Sequence, residues 1–286
     1  MTMNGLRDKA LLITLNISRW AGRRKDDNAA QHVSEAADAQ RTAVNVTKSL
    51  INGATFREIG RLANEIRNTH YAQTLPWDDS GRRLMPTARF DQYWEEMNRY
   101  RERYSEAVST FTSEYWLLKE KARDQLGTLY NERDYPSIED LRAKFSIRVN
   151  ASEIPRSDDI RIAVSEKALD RIREDLQAET ADALNQAKGD LYKRALTVAQ
   201  RIAETLEDPG KIFRDSLIGN LRDLVEFLPD YNLFDDPALS HLQARLESLI
   251  VSPDTLRTNI NQRQATATAA ARVAQDVNDV LNRLDF

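Results

Sequence analysis

The chain has no cysteine among its 286 residues, which excludes disulfides, thiolate zinc sites, iron–sulfur clusters and thiol nucleophiles together and fits a reducing compartment. Histidine is nearly as scarce, and His32, His70 and His241 are too scattered to suggest a metal site. The nine glycines are all isolated, so neither a dinucleotide fingerprint nor a phosphate-cradling Walker loop can be written. No serine stands in Gly-x-Ser-x-Gly, the nucleophile elbow of the α/β-hydrolases. No apolar run approaches the roughly 18 to 20 residues that span a bilayer. These absences predict a soluble, intracellular protein that is not an enzyme, takes no cofactor and has no membrane partner.

What is present is an ordinary globular composition, 41% hydrophobic and 30% charged, able to bury a core. The 45 acidic residues outnumber the 41 basic ones for a net charge of −4, which argues against a generic polybasic nucleic-acid coat. The average conceals an asymmetry. From Met1 to Lys25 the bases Arg7, Lys9, Arg19, Arg23, Arg24 and Lys25 face the single acid Asp8, so this stretch is basic and the remainder correspondingly more acidic. It is not a secretion signal, because Thr14 and Asn16 interrupt the apolar run from Ala10 to Ile17 and Arg23-Arg24-Lys25 stand where cleavage needs small residues.

Leu11 to Ile17 reads as a strand, Asn28 to Ile51 as one or two helices, and Thr55 to Tyr71 as a helix. Leu75 to Gly81 is turn chemistry around Pro76. Phe90, Tyr93, Met97, Tyr100, Tyr104, Ala107, Phe111, Tyr115, Leu118 and Ala122 then recur at spacings of three and four, predicting one helix from Thr87 to Gly127, about 60 Å long. Ser165 to Leu206 repeats the pattern and is the expected antiparallel partner. Between them a short helix at Ser137 to Lys144 and strands at Phe145 to Val149 and Ile160 to Val164 are expected. Helices at Lys211 to Leu228, at Ala238 to Val251 and from Pro253 onward follow. The fold class is thus mostly α with a small β-sheet, an elongated molecule built on a long helical hairpin. It is read as one domain over 1–286, divisible at most into a 1–210 body and a 211–286 helical segment.

Two clusters carry binding chemistry. In Ser18-Arg19-Trp20-Ala21-Gly22-Arg23-Arg24-Lys25, four cations surround one indole; the cations can neutralise phosphates and Trp20 can stack on a base. The alternative is a solvated basic turn with Trp20 plugging the core. The second cluster, His70, Tyr71, Trp77, Arg82 and Arg83, is aromatic and basic as well, or else a loop anchored by a buried Trp77. The tyrosines of the long helix belong to its core at heptad spacing. Asp78-Asp79, Asp158-Asp159 and Asp235-Asp236 sit in turns where aspartate is expected and are not metal ligands.

Ser18, Trp20, Arg23, Arg24 and Asp26 form a block that resembles a family of uncharacterised tailed-bacteriophage proteins, whose members open with a strand followed by Ser-x-Trp-Thr-Ala-Arg-Lys. Here Ala21 and Gly22 stand where that family has Thr and Ala. A second block, His70-Tyr71, Thr74-Leu75-Pro76-Trp77, Asp79, Gly81, Arg83-Leu84 and Pro86, is similar to the family's loop, and Asp134-Tyr135-Pro136-Ser137 leading to Lys144-Phe145 is a third. The resemblance spans Leu11 to Val149. It implies DNA metabolism, since such phage proteins accompany replication and recombination genes. Asp276, Asp279, Asp285 and Phe286 also resemble the acidic, phenylalanine-ended tails of phage and bacterial single-strand binding proteins.

The expectation is a phage single-stranded DNA-binding protein of replication or recombination, in the cytoplasm of the infected bacterial host. It would be a homo-oligomer that meets phage replication proteins through its C-terminal end. The alternative is a helical scaffold or adaptor that assembles with itself or with a host or ATPase partner.

Overall fold

Nine residues rich in strand formers, Ala10–Ser18, make β1 in the computed structural model, which describes residues 3–155, 165–233 and 235–283. A short helix, α1 (Met3–Lys9), precedes it, and β2 (Arg23–Lys25) follows. Asp26 then caps α2 (Asp27–Ala36) by accepting from the amide of Ala29 at 2.9 Å. Where one or two helices were expected over Asn28–Ile51, α2 ends at Ala36 and a single 3-10 turn follows at Arg41–Ala43. Beyond it the β-branched run Val44, Val46 and Thr47 favours extended backbone, and Thr47–Ser49 forms β3, antiparallel to β2.

Helix α3 (Ala54–Ala72) leads into a hairpin that was expected only as a loop: β4 (Leu75–Pro76) pairs with β5 (Arg82–Pro86). The Asp78 carboxylate closes the turn by accepting from the amides of Ser80 and Arg82. Helix α4 (Thr87–Leu126) has the predicted span, and α5 (Ile138–Ala143) is capped by Ser137. Strand β6 (Ser146–Ser152) completes a sheet in the order β4-β5-β1-β6. The strand expected at Ile160–Val164 lies outside the described residues.

Ser165 caps α6 (Glu166–Leu206) as its sequence position suggests. Helix α7 (Ser216–Tyr231) starts later than expected because the carbonyls of Asp208 and Lys211 are turned to the Arg263 guanidinium. It also runs through Pro229 to Tyr231. Helices α8 (Pro237–Glu247), α9 (Pro253–Thr258) and α10 (Ile260–Leu281) follow.

The chain forms two compact units. The first draws on Met1–Thr14, Gln73–Gln92 and Asn150–Phe286. Its core is built on α6 and α10, whose buried faces are lined by Ala183, Ala187, Ala195 and Ala199 on one helix and Ala267, Ala270 and Ala274 on the other. The scarcity of bulk around Thr266–Ala274 thus serves close approach, since helix separation follows side-chain size at the contact. The pair is antiparallel, with Arg263 in the first turn of α10 bonded to the carbonyls of Thr205 and Leu206 at the end of α6.

The second unit comprises Leu15–Ala72 and Tyr93–Val149. Here α3 and α4 form an antiparallel pair, ordered by His70 on Tyr93 (2.8 Å), Thr69 on Tyr100 (3.0 Å), Phe56 on Phe111 (ring centroids 5.2 Å apart) and Thr55 on Glu114 (3.1 Å). Tyr104 and Leu191 are both buried, as the heptad pattern requires. The partners differ from expectation, however: α4 pairs with α3 and α6 with α10, each within its own unit.

Candidate nucleic-acid interface

Gly22 ends the turn between β1 and β2 in left-handed backbone at φ +63°, its carbonyl accepting from the amide of Leu50 at 2.8 Å. A Cβ there would stand 2.7 Å from the ring of Phe56, so glycine is needed both for conformation and for room. This turn lays the basic cluster beside α3. At the end of β1, the Tyr104 hydroxyl donates to the Ser18 carbonyl at 2.9 Å. Burial pushes that phenol up to about 12, with the cations Arg19 and Arg67 pulling the other way. The phenol therefore remains a hydrogen-bond donor at neutral pH.

Arg19, Arg23, Arg57 and Arg61 line an open groove of about 800 Å3, floored by Phe56 and Gly60, with no carboxylate among its lining residues. Gly60 makes room for the Arg19 guanidinium, which would lie 3.0 Å from a Cβ at that position. Arg57 bonds Asn52 at 2.8 Å, while Arg61 is held by Glu58 and Glu65, both at 2.6 Å. Among the described residues Arg19, Arg23, Arg57 and Lys25 form no ion pair.

Arg24 does something else. Strand alternation turns it away from the face shared by Arg23 and Lys25, and the β2–β3 register sets it opposite Lys48. Two like charges facing across a ladder repel, yet Asp134 bridges them, at 3.0 Å from Arg24 and 2.9 Å from Lys48. Asp26 adds a second carboxylate to Lys48 at 2.9 Å, and the Leu129 carbonyl accepts from the same ammonium at 2.6 Å. The side chains of Lys48, Asp26 and Asp134 are only 8%, 10% and 6% exposed, so this is a buried ionic clasp that fixes the hairpin.

The indole of Trp20 is half-buried and meets Phe56 and Tyr115 edge-on, at 5.8 and 6.1 Å. The second cluster divides between the units. His70 is buried on Tyr93, and Tyr71 is exposed beside it. Trp77 is buried in the core of the first unit, Arg82 pairs with Asp78 at 2.5 Å, and Arg83 donates to the side chain and carbonyl of Thr74. Of these five, His70 and Trp77 are buried and Arg82 and Arg83 are bonded within the hairpin, while Tyr71 is 52% exposed.

Arg57 and Arg61 were missed by the sequence reading, which followed only the apolar face of α3; with Asn64 they recur at spacings of four and three on its polar face. Asp276 pairs with Arg245 at 2.5 Å on α10, and Asp285 and Phe286 lie outside the described residues. Among the described residues no group of three His, Asp or Glu side chains could hold a metal, and no helix is long and apolar enough to cross a membrane.

No protein-family model, curated protein or solved structure is significantly similar to the chain. The resemblance to the phage family rests on its three blocks of residues alone.

Proposed function

We propose that the second unit binds single-stranded DNA along the Arg19–Arg57 groove, as a non-enzymatic protein of phage DNA replication or recombination in the cytoplasm of the infected host. The observation that carries this reading is a groove with four arginines and no carboxylate in a chain with net charge −4. An acidic surround confines a polyanion to the one basic path. Affinity comes from charge, with Trp20 supporting the groove floor through Phe56.

The test is fluorescence anisotropy with a labelled oligothymidylate of about 20 nucleotides. Arg19, Arg23, Lys25 and Arg57 as four phosphate contacts give a slope of log affinity against log salt of about −3. Raising salt from about 20 to about 200 mM should therefore weaken binding roughly a thousandfold. Binding that ignores salt, or no binding at the low salt, would sink the reading.

One observation favours the second reading, assembly through α4: Trp116 is 66% exposed beside Leu117 at 40%. Trp116→Ser would then lower the sedimentation coefficient of the intact protein, whereas an unchanged monomer before and after substitution removes that reading.

A further inference from the structure

In the first unit, the loop between α6 and α7 shapes an open pocket of about 350 Å3, within the size range of small-ligand sites. Three cations surround it, Arg201, Lys211 and Arg214, with the Ser216 hydroxyl and Asn220 amide between them and Phe213 as an apolar wall. No carboxylate lines it. Of the nearby acids, Asp215 and Asp254 are held by Arg257 and the Asp208 carboxylate accepts from the amide of Gly210, while Lys211 donates to the Glu204 carbonyl at 3.4 Å.

Beneath the pocket lies Arg263, only 6% exposed. Its guanidinium bonds the carbonyls of Thr205, Leu206, Asp208 and Lys211 at 2.6 to 3.2 Å and lies 5.4 Å from the Phe213 ring centroid. No carboxylate neutralises it among the described residues. The loop is thus preorganised by a buried cation, and its rim carries three more whose mutual repulsion an anion relieves. Ile212, at the rim, is 95% exposed, an apolar surface beside the charge.

We propose that this pocket binds a small phosphomonoester with an apolar or aromatic body. A phosphoryl group carries close to two negative charges at neutral pH and three acceptor oxygens, enough for Arg201, Lys211 and Arg214 together, whereas a carboxylate has two oxygens and one charge. Phe213 and Ile212 receive the ester's apolar part. The site is independent of the DNA reading, being built in the other unit.

Isothermal titration of the full chain with phenyl phosphate, inorganic phosphate and phenol tests it. Phenyl phosphate should bind more tightly than inorganic phosphate, and phenol should not bind. Arg201→Gln, Lys211→Gln and Arg214→Gln, all at exposed positions and so expected to fold, should each weaken phenyl phosphate roughly three- to tenfold by removing one charge-assisted contact. Lys144→Gln, at an exposed cation of the other unit outside its groove, should leave it unchanged. Absence of phenyl phosphate binding, indifference to all three substitutions, or equal loss with Lys144→Gln overturns the site. Phosphatidate presents the same headgroup, so sedimentation with phosphatidylcholine vesicles containing it separates the sources. Vesicle binding lost in the three variants, without binding of soluble phenyl phosphate, overturns the soluble ligand.

Discussion

Lys48 is the residue on which the β2–β3 hairpin depends, and Lys48→Met is the substitution that exposes this. Methionine keeps the aliphatic stem and deletes the ammonium, leaving the Asp26 and Asp134 carboxylates buried with one partner fewer each. Breaking a buried pair costs about 3 to 5 kcal/mol. Asp26 retains the Ala29 amide at 2.9 Å and Asp134 retains Arg24 at 3.0 Å, so the loss should fall at the lower end, about 3 kcal/mol. Urea unfolding followed by tryptophan fluorescence reads the total. Hydrogen exchange reads the place, through the amides of Asp26 and Leu50, which bond Val46 and Gly22 across the hairpin. A loss under about 1 kcal/mol with unchanged exchange at those amides would refute the clasp.

The same cluster sets a pH window. The Ala29 amide, and then Lys48, hold the Asp26 carboxyl below its ordinary 3.8. Its contribution is therefore present above that value and lost as pH falls through the lower folded one. Burial pulls the Lys48 ammonium down, but its hydrogen bonds to Asp134 and Asp26 outweigh this and carry it above 10.5. Its contribution is complete below that value and lost as pH rises through the higher folded one. The stability difference between wild type and Lys48→Met should accordingly be flat between the two and shrink at either end.

Phe111 is fully buried among Phe56, Tyr115 and Phe145, so Phe111→Ala should cost about 3 to 5 kcal/mol in the same urea assay, and an unchanged midpoint would remove it from the core. Gly22→Ala combines left-handed strain with a Cβ driven into the Phe56 ring; about 2 to 4 kcal/mol of destabilisation is expected, and a neutral result would mean that the turn is not held as described.

The long helices were legible because three-and-four spacing survives over ten turns, and the caps Ser137 and Ser165 because each is a lone hydroxyl before a periodic run. Which helix pairs with which was not, since a heptad stripe specifies a buried face and not the mate that covers it. Matching length suggested α4 with α6, but the alanines of α10 fit those of α6, and the aromatics of α4 meet Phe56 and His70 on α3. The hairpin β2–β3 was hidden for another reason: three-residue strands carry too few positions to show alternation. Two of the blocks that suggested a phage family, the first and the third, are structural neighbours. Asp134 of the third block bridges Arg24 of the first, and Tyr135 donates to Leu50 at 3.0 Å. Their residues are demanded by packing as much as by any ligand.

The basic segment Met1–Lys25 is smaller as a field than as a count. Arg7 donates to the Pro155 carbonyl at 2.8 Å, Lys9 pairs with Asp235 at 3.1 Å, and Arg24 is held by Asp134. Arg19, Arg23 and Lys25 remain, and α3 adds Arg57. Neighbouring positions on β2 should therefore behave oppositely, which composition cannot anticipate. Arg23→Ala removes one free cation from the groove and should flatten the salt slope by about 0.7 with little change in stability. Arg24→Ala leaves Asp134 with Lys48 alone; it should lower stability while the slope stays within measurement error of wild type. Both proteins must be compared on the same oligonucleotide over the same salt range, because the slope counts released counterions and not total affinity. Equal flattening by the two substitutions would mean that Arg24 leaves Asp134 when DNA binds, and the division of the strand into a ligand face and a scaffold face would then be wrong.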